Sequence, residues 1–148
     1  MSVRALDLYL IKFFKKISVP LARVGLFIVF FWFGVLKVLN YSPASPLVQK
    51  LFEQIIPFLS FSTFLILFGL LEMIIGVLFL IRGMERVAFL LLIIHMVTTF
   101  LPLFLLRSVT WSSWFVPTLE GQYIIKNVVI VASALGIVAH LHPIKKFL

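Results

Sequence analysis

Residues 61–81, FSTFLILFGLLEMIIGVLFLI, and residues 87–106, VAFLLLIIHMVTTFLPLFLL, are two apolar runs separated only by Arg82, Gly83, Met84, Glu85 and Arg86. At a rise of ~1.5 Å per residue, a helix of about 20 residues crosses the ~30 Å hydrocarbon layer of a bilayer. A charged link this short suits a tight turn between antiparallel helices. The pair therefore reads as a transmembrane helical hairpin, and the rest of the chain is read outward from it.

Two more runs of similar length flank the hairpin, at residues 19–39 and 123–141. The 148 residues are 63% hydrophobic and 12% charged, with a mean hydropathy of +1.21. A soluble domain needs a more polar surface than this composition supplies. The expectation is an all-α, integral-membrane four-helix bundle, forming one domain over residues 1–148. No internal duplication divides it.

Residues 2–16 place Leu6, Leu10, Phe13 and Phe14 on one side of a helical wheel, with Arg4, Lys12, Lys15 and Lys16 interrupting. That pattern predicts an N-terminal amphipathic helix lying on the membrane surface. No small-residue cleavage site follows it, so the segment is expected to remain in the mature protein. Between the first two spans, Ser45-Pro46 reads as an N-cap and first-turn pair. Leu47, Val48, Leu51, Phe52, Ile55 and Ile56 follow at helical spacing, which predicts a short helix on the outer surface. In the last outer loop, residues 107–122, Trp111, Trp114 and Phe115 suit the headgroup level.

Eight basic residues (Arg4, Lys12, Lys15, Lys16, Arg82, Arg86, Lys145, Lys146) fall on one side of this topology and two (Lys50, Arg107) on the other. Basic residues are retained in the cytoplasm, so both chain ends are expected inside. The formal charge of +8 is spread between apolar runs rather than gathered on a soluble face. It therefore points to anionic lipid headgroups, not nucleic acid, as partner. The chain has no cysteine, which excludes thiol oxidation, thiolate-bound metals and cysteine catalysis.

Ionisable groups inside a span cost about 2.5–3.5 kcal/mol on insertion scales, so they turn inward and find partners. There are five: Arg23, Lys37, Glu72, His95 and Lys126. Arg23, Phe27, Phe30, Gly34 and Lys37 share one stripe of the first span; Gly69, Glu72 and Gly76 share one of the second. The third offers His95, Thr98, Thr99 and Pro102, and the fourth Lys126, Val129, Ser133, Gly136 and His140. Four such faces are expected to line one interior. Glu72 falls ~16 Å from the outer end of its helix and His95 ~12 Å from the inner end of its own, both close to the midplane. Arg23 is expected either to pair with Glu72 or to snorkel to the inner headgroups, and the pair could be structural or functional. Lys37 and Lys126 are expected at similar depth, as a cationic outer mouth. His95 lacks a second ligand at i+3 or i+4, so it reads as a hydrogen-bonded interior residue; no metal site is expected.

Trp32-Phe33-Gly34 with Lys37, Glu72 in the second span, and Gly121-x-Tyr123-x-x-Lys126 opening the fourth resemble the YkgB family of DoxX-like membrane proteins. The resemblance covers about residues 21–138. It implies a four-helix protein of the bacterial inner membrane, with one family branch associated with resistance to reactive chlorine species. More distant DoxX-like proteins are associated with quinone-linked sulfur oxidation, which makes a quinone the candidate cofactor. Where the family pattern often has an acidic residue after the fourth-helix lysine, this chain has Asn127.

The functional expectation is a non-enzymatic protein that holds a small anionic or quinone-like molecule inside the bundle. Lys37 and Lys126 would attract it, and Glu72 and His95 would form the inner polar site. Arg23, Trp32 and Tyr123 complete the candidate ligand-binding set, with no catalytic residue among them. Two alternatives stay open: an accessory subunit of a quinone-linked oxidoreductase, with the redox centre on a partner chain, and a proton-coupled small-solute transporter. Four helices without repeats would need to oligomerise for alternating access.

Overall fold

A computed structural model describes residues 2–55 and 60–143. Its elements are α1 (Val3–Val38), α2 (Ser45–Ile55), α3 (Phe61–Leu80), α4 (Glu85–Phe100), α5 (Pro102–Leu105) and α6 (Arg107–Thr110). A small hairpin follows, β1 (Trp111–Ser113) with β2 (Val116–Pro117), and then α7 (Leu119–Ile125) and α8 (Asn127–Val138). Four helical stretches are long and apolar enough to cross a membrane: α1, α3, α4 with α5, and α7 with α8.

The separate surface helix expected over 2–16 is not formed. α1 runs unbroken for 36 residues, with Pro20 inside it. A proline costs a helix one backbone donor, and nothing else between Lys16 and Leu21 competes with helix continuation. At ~1.5 Å per residue α1 is ~54 Å long, well over the hydrocarbon thickness, and residues 2–16 are exposed. Ser2 caps its start by accepting from Ala5 N at 3.3 Å. Its end is a Schellman turn. Asn40 adopts φ 60°, while Asn40 N donates to Lys37 O and Tyr41 N to Leu36 O.

The short helix expected between the first two spans is present as α2, but Ser45 is its first helical residue rather than its cap. Ala44 O receives the first backbone donors, from Leu47 and Val48. Ile56 lies outside the described residues, as do Lys145 and Lys146. At the α3–α4 turn, Gly83 takes φ +90° and its N–H donates to Glu85 Oε2 at 2.7 Å. Gly is the one residue type there that adopts this conformation without strain.

The third span is interrupted at Leu101, between α4 and α5, where Pro102 has no N–H to give to the preceding turn. The fourth starts four residues earlier than expected and ends at Val138. Thr118 caps it, accepting from Gly121 N at 3.2 Å and donating to Val109 O at 2.7 Å. The all-α expectation omits the β1–β2 hairpin, whose turn is set by Phe115 at φ 55°. Trp111 Nε1 donates to Leu103 O at 3.0 Å, tying this loop to α5, whereas Trp114 and Phe115 are exposed.

In the bundle α1 packs on α3, α3 on α4, α4 on α8 and α8 back on α1. The core comprises Leu26, Phe30, Ile75, Phe79, Ala88, Leu92, Met96, Ala134 and Ile137. The α1–α3 seam is the tightest. A Cβ placed on Gly34 would lie 2.5 Å from Gly69 O, and one on Gly69 would lie 2.7 Å from Gly34 O. Two backbones in contact without side chains between them is the packing that small residues permit inside membranes.

A buried lysine, glutamate and histidine form the candidate functional site

Lys37 stands in the last turn of α1, yet its side chain turns into the bundle. It is 6% exposed, and Nζ donates to Glu72 Oε2 at 2.6 Å. The Gly34–Gly69 contact explains the reach: with α1 and α3 backbones touching, a lysine one turn outside Gly34 extends along the seam to a carboxylate one turn inside Gly69. Snorkelling outward would leave Glu72 without that partner, which is costly for a charge in low dielectric.

From α4, His95 brings Nε2 to 3.3 Å from Glu72 Oε1. The two carboxylate oxygens therefore face different partners, one cationic and one imidazole. His95 is 4% exposed, and its Nδ1 is buried without a hydrogen-bond partner among the described residues. Thr98 and Thr99, placed on the same interior face by sequence, do not reach it. Both hydroxyls bond back to His95 O, at 2.7 and 3.1 Å, the local bonding that helical threonines favour.

Aromatic rings connect this triad to the outer helix. The ring of Phe52 in α2 lies tilted against Phe64 at 4.8 Å, Phe64 stacks on Phe68 at 5.4 Å, and Phe68 lies tilted against His95 at 4.7 Å. Phe30 closes the other side of the imidazole, edge-on at 5.6 Å. Lys37 Nζ lies 5.7 Å from the Phe68 ring centre, within cation–π range. Sequence reasoning missed this ladder. Its signal was Phe64, Phe68 and Glu72 at i, i+4 and i+8, one face of α3.

Of the seven candidate residues, the structure brings together Lys37, Glu72 and His95. Arg23 does not pair with Glu72. Its guanidinium meets Glu85 Oε1 at 2.8 Å and donates to Phe79 O at 2.6 Å and Leu80 O at 3.1 Å. It thus caps the C-terminal end of α3, and position along the bundle explains the choice: Arg23 and Glu85 both sit at the end that carries the α3–α4 turn, whereas Glu72 is midway along α3.

Lys126 does not join Lys37 in a cationic mouth. It is exposed and its Nζ lies 4.7 Å from the Tyr123 ring centre, with Tyr123 itself 60% exposed. Trp32 is 62% exposed and faces away from the triad's interior. The fourth span turns Ile124, Ala134 and Ile137 inward, leaving Lys126, Val129, Gly136 and His140 exposed. That span is apolar nearly all round, so its small and polar residues did not identify its buried face.

Among the described residues, no three His, Asp or Glu side chains converge as a metal site requires. Two grooves lie on the bundle surface away from the triad, one between α1 and α8 at Ala22 and Gly136, the other at Phe31 and Met73. The chain matches no protein-family model, no curated protein and no solved structure.

Proposed function

We propose that this chain is a bacterial inner-membrane protein that binds a small quinone-like ring at the Lys37–Glu72–His95 centre, without itself catalysing a reaction. The observation that carries this reading is the Phe52–Phe64–Phe68 ladder ending on a buried imidazole. A flat ring in the place of Phe68 would keep aromatic contact with Phe64 and His95 and lie beside the Lys37 ammonium. Phe68 is only partly buried, so its ring has somewhere to go. An anion is the poorer occupant, because Glu72 already compensates Lys37 and a second negative group would be repelled by the carboxylate.

Decylubiquinone and its quinol, titrated against the protein in nanodiscs, are the probes. Saturable binding at one site per chain is expected, weakened about tenfold or more by Phe68→Ala and by His95→Leu. Equal uptake by empty nanodiscs, or undiminished binding by both folded variants, would overturn the reading.

The same proposal places both chain ends in the cytoplasm, on the strength of the basic residues at the N-terminus and the α3–α4 turn. Reporter fusions at Gly83 should read cytoplasmic and those at Lys50 and Trp114 external. An external signal at Gly83 would reverse the topology.

A further inference from the structure

The triad's geometry also says which kind of oxygen it receives. Lys37 has only donors and uses one on Glu72 Oε2. The other carboxylate oxygen, Oε1, only accepts, and it faces His95 Nε2 at 3.3 Å. In a neutral imidazole one nitrogen carries the hydrogen and the other a lone pair. We assign the hydrogen to Nε2, the nitrogen 3.3 Å from the carboxylate oxygen, which leaves Nδ1 as the acceptor of a neutral ring.

That acceptor is buried and has no partner among the described residues. The hydroxyls of Thr98 and Thr99, the next turn along α4, are committed elsewhere, since both donate to His95 O. A buried acceptor without a donor is destabilising, and a molecule that brings an O–H removes that cost. A bare carbonyl or ether oxygen does not, because it would set lone pair against lone pair.

We infer that His95 Nδ1 makes this a site for hydroxyl-bearing rings, so that it takes the phenolic, reduced form of a quinone-like ligand in preference to the oxidised form. This rests on the ring-binding reading above, and the test separates the two. 4-Butylphenol and 4-butylanisole share ring and tail and differ in the methyl group that replaces the donor hydrogen. Affinities for the wild-type protein in nanodiscs are compared after correction for each probe's partition into empty discs, which removes the need for a variant that might not fold. The phenol should bind at least about tenfold more tightly, and decylubiquinol should exceed decylubiquinone in the same direction. Nitrogen-15 spectra of histidine-labelled protein should show His95 with an unprotonated Nδ1 that shifts when the phenol is added, with the exposed His140 and His142 as internal references.

Binding of the ether as tight as the phenol would overturn the donor preference while leaving the ring site standing. Failure of both probes and both quinone forms to bind would remove the ring site itself, the outcome expected if only a water meets Nδ1. A protonated Nδ1 in the unliganded spectrum would overturn the inference whatever binds.

Discussion

Glu72→Leu should destabilise the bundle by about 3–5 kcal/mol, because it strands the Lys37 ammonium in a site where it is 6% exposed. Lys37→Met should cost a similar amount by stranding the carboxylate. The double substitution removes both charges and fills the seam with apolar atoms, so it should recover most of the loss and sit far above the sum of the singles. Unfolding of the purified protein in mixed micelles measures all three. Arg23→Leu supplies the contrast: its partner is Glu85 at 2.8 Å, so its effect should add to that of Glu72→Leu. A Glu72→Leu protein as stable as wild type would mean that Lys37 reaches water in the native state, and the buried pair would be lost as an explanation of the fold.

That contrast marks where the sequence was informative. Four apolar runs were enough for the number of long apolar helices, and one short charged turn for the pairing of α3 with α4, since a bilayer imposes one length and one secondary structure on anything that crosses it. Glu72 and His95 were identified as neighbours at the midplane because a charge and an imidazole at matching depth have few other partners. Lys37 was misplaced because a lysine near a helix end ordinarily snorkels outward. Its inward turn depends on the separation of α1 and α3, a tertiary quantity set by Gly34 and Gly69. The partner of Arg23 was legible in principle, for Glu85 lies in the inner turn and Arg23 one turn inside the inner boundary. Depth alone would have preferred Glu85 to Glu72. In the fourth span no such cue exists. Its apolar residues surround the helix, and small residues can face lipid or neighbour with equal ease, so Ala134 and Ile137 were chosen by packing rather than pattern.

The α1–α3 seam carries the other large effect. Gly34→Ala should lower stability by about 3 kcal/mol, at the upper end of overpacking costs, because the new methyl group would meet backbone on the facing helix. Its Cβ would fall 2.5 Å from Gly69 O and 3.0 Å from Met73 N, and backbone cannot swing aside as a side-chain tip can. The only relief is for α1 and α3 to separate, which also withdraws Lys37 from Glu72. Loss of stability and loss of ring binding should therefore appear together in this variant, with Gly69→Ala following the same pattern. Gly25→Ala and Gly136→Ala are the controls. Neither added Cβ meets anything within 4 Å, and both should be neutral or stabilising by up to about 1 kcal/mol through helix propensity. If all four substitutions gave the same melting temperature, the seam would not be holding the two helices at the distance on which the Lys37–Glu72–His95 centre depends.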